Sequence, residues 1–213
     1  MKESTVSLDE KRKRRAGEEP IVGGLPAVPG IIAAMALSPG LAVHLRGLAN
    51  ELLVKEFPGA TLSRAEREFI ATAVSGANEC FYCMDSHGAF ALELMRQERD
   101  ANAPLARALV EGLKTGHDVG LSSKMRALVD IARTVQRRSR DLTRDDVANA
   151  LRAGATDADT QLTVLIAAAF CMYNRMVDGL RARTPESADA YCARATEIAA
   201  HGYADPRVAS VPK

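Results

Sequence analysis

Nowhere in this 213-residue chain do apolar and polar residues alternate with period two, while apolar residues recur three and four apart through most of it. That pattern admits helices and excludes a sheet, so the fold class expected is all-α. Helix boundaries can be read from local chemistry. Pro39 stands where a first helical turn tolerates it. Leu41, Leu45, Leu48, Leu52 and Leu53 keep to one face, which predicts an amphipathic helix over 39–57 ended by Pro58-Gly59. Ser63 with Glu66 forms a capping box that starts the next helix, and Gly76-Ala77-Asn78 allows it to turn. Fresh helices follow from Cys80 to about residue 96, over 104–114, and from Leu121-Ser122 to about residue 138. A short one capped by Thr143 with Asp146 comes next, then a long apolar one capped by Asp157 and running to 180.

Residues 21–213 are expected to form a single domain, long enough for a full core, behind a flexible basic tail over 1–20. The tail holds Lys11-Arg12-Lys13-Arg14-Arg15, a run that among polar neighbours reads as solvated chain. Residues 21–30, with Gly23, Gly24, Pro26, Pro29 and Gly30, read as an extended arm. Lysine and arginine total 28 against 27 acidic residues, so charge gives no reason to expect a nucleic acid or membrane partner. The longest apolar run, 162–173, is too short for a bilayer crossing, which takes about 20 residues. A cytoplasmic, reducing setting is expected, where a paired dithiol points to catalytic or metal-binding chemistry rather than to a structural disulfide.

The chemistry-bearing segment is Cys80-Phe81-Tyr82-Cys83-Met84-Asp85-Ser86-His87. On a helix Cys80, Cys83 and His87 share a stripe, which makes a dithiol with its own base. A thiol reacts as its thiolate, and a neighbouring histidine or a helix N-terminus favours that form. Two-residue cysteine spacing is shared by redox, zinc and haem-attachment sites. Haem attachment needs histidine directly after the second cysteine, where Met84 stands. A zinc site would have Cys80, Cys83 and His87 as only a partial shell, since neither Cys171 nor Cys192 has a partner nearby in sequence. A thioredoxin fold would need strands. No cofactor or metal is therefore expected.

Glu68, Cys80, Cys83 and His87 together resemble the signature of the alkylhydroperoxidase D-like (AhpD-like) group of the carboxymuconolactone decarboxylase superfamily, and most closely its peroxidase-related branch. The resemblance spans residues 25–180. It is carried by Arg67-Glu68, by Ser75-Gly76-Ala77-Asn78-Glu79-Cys80-Phe81-Tyr82-Cys83, by His87, and by Tyr173-Asn174-Arg175-Met176-Val177-Asp178-Gly179. It implies an AhpD-like helical bundle assembled as a trimer or hexamer, a hydroperoxide substrate and an external dithiol reductant. It also implies roles: Cys83 as attacking thiolate, His87 as its base, Glu68 as the group that orients His87 or relays its proton, and Cys80 as resolving thiol. Helix-start position alone argues instead for Cys80 as the more acidic sulfur. Tyr82 departs from the best characterised branch, which tends to carry a histidine there. A redox sensor that oxidises without turnover, and a decarboxylase-type enzyme on a carbon substrate, are the alternatives.

Other residues have plainer readings. Cys171 and Cys192 are expected to be inert, the former buried, and His44 to be a surface or core histidine. Tyr82, Asp85 and Ser86 are candidates for hydrogen bonds near the sulfurs or for helix surface. Asn174, Arg175 and Asp178 suggest an ion pair or subunit contact, with Arg175 a candidate to line the site. Leu62-Ser63 and Leu121-Ser122 open similarly patterned helices, which is either the chance likeness of two amphipathic helices or a degenerate internal repeat in which Ala127 and Ser139 stand for Glu68 and Cys80.

Overall fold

The computed structural model describes residues 7–98 and 103–205. The described residues form ten α-helices and no strand: α1 Leu8–Ala16, α2 Gly30–Ala36, α3 Pro39–Leu53, α4 Arg64–Ala77, α5 Phe81–Gln97, α6 Ala103–Thr115, α7 Ser123–Arg138, α8 Arg144–Arg152, α9 Asp157–Gly179 and α10 Cys192–His201. Single 3-10 turns, Ser139–Asp141 and Ala188–Tyr191, precede α8 and α10.

Helix α4 is the centre. Nearly all of it from Ala65 to Ser75 is buried, and it packs on α3, α5, α6, α7 and α9. A helix covered on nearly all sides has little polar face to spare, and its two buried charged residues carry that cost with named partners. Arg67 donates to the carbonyls of Leu62 at 3.2 Å and Lys55 at 2.5 Å, while Glu68 turns to the site described below. The core around α4 is built from Leu53, Ile70, Leu113, Leu128, Ile131, Leu162, Ile166 and Phe170, each almost wholly buried. Burying one such side chain stabilises the fold by about 1.5–3 kcal/mol. Close approach of α4 and α6 depends on Gly76, where a Cβ would meet the Lys114 carbonyl oxygen at 2.4 Å.

Local chemistry sets most boundaries as expected. Capping boxes Ser63/Glu66 and Thr143/Asp146 start α4 and α8, and Ser122 caps α7. For α9 the cap is Thr156, whose box partner is Asp159, so Asp157 is the first helical residue and not the cap. Asp159 also accepts from Thr61 N at 2.6 Å and Leu62 N at 3.1 Å, tying the start of α9 to the lead-in of α4.

Further expectations are corrected, for residues 8–16 and for α3, and two helices that the sequence did not announce, α2 and α10, are added. Residues 8–16, expected within a flexible tail, are a helix with its own capping box, Ser7 with Glu10, held to α5 through Arg12. The arm ends in α2, whose Ala33, Ala34 and Met35 are buried. The Pro/Gly-rich lead-in masked a helix too short to show a period. Helix α3 stops at Leu53 and buries Ala42, Leu45, Ala49, Leu52 and Leu53, leaving Leu41 and Leu48 50% and 39% exposed. The buried stripe is therefore narrower and rotated, with alanines at its close contacts. Beyond α9 the chain continues into α10, which packs on α5.

Candidate functional site

The turn between α4 and α5 presents the dithiol, and polar side chains hold that turn. Glu79 takes a left-handed conformation, φ 55°, unusual for a residue with a Cβ. Around it Asn78 N donates to Val74 O at 3.0 Å, Glu79 N to Gly76 O at 2.9 Å and Cys80 N to Ser75 O at 3.0 Å. Asn174 of α9 reaches in, donating to Ser75 Oγ at 3.1 Å and accepting from Asn78 Nδ2 at 2.8 Å. Gln136 of α7 donates to Asn78 Oδ1 at 2.8 Å. Asn174 is thus a brace for the turn. Arg175, by contrast, is exposed and donates to the Cys171 carbonyl at 2.8 Å, so it does not line the site.

Cys80 is the N-cap residue of α5 and Cys83 lies in its first turn. Both are buried free thiols with sulfurs 3.0 Å apart. Cys80 is fully buried. Burial pushes its thiol well above the ordinary range, and the neighbouring Cys83 sulfur and Asp178 push the same way. Desolvation here overrides the helix-start effect that favours a thiolate on Cys80.

One turn along α5, His87 Nδ1 lies 2.7 Å from Glu68 Oε2. Glu68 is only 1% exposed. Against an ionised carboxylate Nδ1 carries the proton, which leaves Nε2 as the ring's acceptor. A third residue completes this group: Tyr203, just beyond α10, donates its hydroxyl to Glu68 Oε1 at 2.6 Å and lies 3.3 Å from His87 Nδ1. Burial, reinforced by the Glu68 charge, pushes the Tyr203 phenol well above its usual value, so it stays a donor. Phe170 and Phe90 stand edge-on to the imidazole at 4.6 and 5.2 Å between centroids.

A cavity of about 60 Å³ opens beside these groups, lined by Cys83, His87, Ser86, Met35, Phe90 and Phe170 among others. Cys83 faces it, and Cys80 is not among its lining residues. The structure thus brings the four residues singled out from the sequence into two contacting pairs, Cys80 with Cys83 and Glu68 with His87. One member of each pair, Cys83 and His87, lies on α5 and lines the cavity.

Of the other candidates, Tyr82 and Ser86 also line the cavity and the rest fall elsewhere. Tyr82 is a buried ring, edge-on to Tyr191 at 5.5 Å and pressed on Gly30, where a Cβ would come within 2.3 Å of it. Gly30, at φ 54°, is a position only glycine fits. Ser86 donates to the Cys83 carbonyl at 3.1 Å. Asp85 points away from the sulfurs to Arg12 at 3.1 Å and Lys114 at 3.0 Å. Asp178 lies near Cys80, and burial raises its carboxyl. Cys171 is half-buried, and Cys192 and His44 are exposed. Among the described residues no group of three or more histidine, cysteine or carboxylate side chains is placed to hold a metal ion. No helix among them is long and apolar enough to cross a membrane. Tyr203 escaped sequence reasoning, since a lone tyrosine far from the motif carries no signal.

Residues 39–114 match the model of the carboxymuconolactone decarboxylase family. Two solved structures are similar. An AhpD-core, uncharacterized peroxidase-related protein from Ralstonia eutropha JMP134 is 26% identical at a TM-score of 0.64, covering 78% of this chain and 80% of its own. An uncharacterized peroxidase-related protein from Silicibacter sp. TM1040 is 25% identical at 0.64, covering 83% and 93%. No protein of curated function matches. The likeness expected from the sequence is thus found: residues 39–114 match the carboxymuconolactone decarboxylase family model, and the helical fold is similar to that of an AhpD-core protein.

Proposed function

We propose that this chain, with its carboxymuconolactone decarboxylase family region and AhpD-like fold, is a thiol-dependent hydroperoxide reductase. The observation that carries the reading is the order of groups from the cavity inward: Cys83 lines it beside His87, with Cys80 3.0 Å behind. His87 Nε2 takes the Cys83 proton, and the Glu68 carboxylate stabilises the resulting imidazolium. The thiolate attacks the distal peroxide oxygen; an S–O bond forms, the O–O bond breaks, and the alkoxide leaves with the proton held by His87 as an alcohol. Cys80 then attacks the sulfenic sulfur, an S–S bond forms and water departs. The dithiol has supplied two electrons, and an external dithiol restores it by exchange.

The burial of Cys80 suits this order, since a thiol held protonated until the sulfenic acid appears is a resolving thiol. The expected self-assembly is kept as part of the proposal, and the apolar Leu37, Leu41 and Leu48, each 39–50% exposed, support it. The test is consumption of an organic hydroperoxide with dithiothreitol as reductant, which Cys83→Ser should abolish. A carbon-substrate reading, favoured by the name of the matched family, requires an activity that survives replacement of both cysteines.

A further inference from the structure

Tyr203 lies outside the matched region and outside the motif, yet it makes the shortest hydrogen bond to Glu68, 2.6 Å. Its ring stacks on His87 with an interplanar angle of 20° and centroids 6.0 Å apart. Its backbone N–H is anchored on Asn50 Oδ1 of α3 at 3.1 Å. Three elements therefore meet at one carboxylate: α4 supplies Glu68, α5 supplies His87, and the segment after α10 supplies the hydroxyl.

We propose that Tyr203 is a positioning residue of the Glu68–His87 pair, fixing the carboxylate toward Nδ1 and setting the pH at which the imidazole takes up its proton. A hydroxyl donating to a carboxylate stabilises the ionised form and draws off charge that would otherwise act on the imidazolium. Without that donor, Glu68, nearly sealed from water, pulls harder on the Nδ1 proton, and the pair holds its proton to higher pH. The other groups facing the site are constant across neutral pH. Arg64, donating to the Ile198 and Ala199 carbonyls, and Arg46 and Arg194 at the cavity remain guanidinium ions. Burial raises the phenols of Tyr82 and Tyr173, the latter to about 12, so both stay neutral. Cys83 is the remaining ionisable neighbour, and serine in its place removes it.

This deepens the peroxidase reading, which supplies the use of the relay, but its test does not need turnover. The imidazole signals of His87 are followed by NMR against pH in a Cys83→Ser background and assigned by their loss in His87→Asn. Tyr203→Phe keeps the ring and removes the hydroxyl; the His87 midpoint should rise by about one unit. In a Glu68→Gln background the same change should leave the midpoint in place. Replacing Tyr203 by 3-fluorotyrosine, whose hydroxyl is more acidic and fits the same space, should move it down. This second variant keeps the test decisive if Tyr203→Phe folds poorly. A midpoint unmoved by either Tyr203 variant, or a shift persisting without the Glu68 carboxylate, would overturn the proposal. Loss of peroxide reduction in the wild-type chain would strike the functional reading and leave this one standing.

Discussion

Asp85, two residues after Cys83, is the anchor of the site helix, and its removal should be costly. Its side chain is completely buried and takes three charge-assisted contacts: Arg12 Nε and Nη2 at 3.1 Å each, and Lys114 Nζ at 3.0 Å. Asp85→Asn keeps the shape and deletes the charge. Removing one partner of a buried ion pair costs about 3–5 kcal/mol, because the other charge is left uncompensated. Two features place this case at the low end. Arg12 is 18% exposed on a helix with no buried residue, so it can return to water. Lys114, 6% exposed, keeps Glu111 at 2.8 Å. The expected loss is then about 3 kcal/mol, and for a chain of this length each kcal/mol lowers Tm by about 2–4 °C, so the shift should be about 6–12 °C. Thermal unfolding followed by far-UV circular dichroism, at one fixed protein concentration, reads it. Arg12→Ala should cost only about 1 kcal/mol, since Asp85 keeps Lys114. A Tm for Asp85→Asn within 3 °C of wild type, or an Arg12→Ala loss as large, would refute the reasoning.

Phe170→Ala should destabilise by about 3–5 kcal/mol by denaturant unfolding, since the ring is 1% exposed and its loss opens a cavity behind His87. Asp159 gives an acid-side signature. Burial acts to raise its carboxyl, but hydrogen bonds from Thr156 and Thr61 outweigh that and hold it below the ordinary aspartate value. A depressed folded value means stability that is present above the unfolded pKa, about 3.9, and lost as pH falls through the folded one. Asp159→Asn should therefore flatten the acid limb of a stability-against-pH curve, and an unchanged limb would exclude this assignment. His87→Asn should slow peroxide-driven thiol oxidation by about 10²- to 10⁴-fold, the usual worth of a positioned general base.

Side chains that act on their own backbone made most of the fold legible. Ser63 with Glu66 and Thr143 with Asp146 close their capping boxes within three residues, so short-range chemistry alone marks those helix starts. The Cys80–Cys83 pair and its neighbour His87 were legible for a similar reason, since their spacing sets them on one stripe, whereas Glu68, one helix earlier, was legible only through the family resemblance. What was hidden depends on distant partners. Helix α1 carries no apolar face, and it is placed by Arg12 meeting an aspartate 73 residues away. The buried stripe of α3 uses Ala42 and Ala49 in place of Leu41 and Leu48, a choice set by how closely neighbouring helices approach. Tyr203 meets Glu68 across 135 residues of chain, with no local pattern to announce it.

The most direct measurement of the central claim is a single-turnover reaction of the reduced protein with a small organic hydroperoxide, with free thiols counted by mass spectrometry and dimedone present to trap sulfenic acid. Wild type should lose both thiols of the Cys80–Cys83 pair as one disulfide within seconds. Cys80→Ser should accumulate a dimedone adduct on Cys83, and Cys83→Ser should leave Cys80 unmodified. Thiols that survive prolonged exposure, or an adduct on Cys80 in the Cys83→Ser chain, would contradict the account.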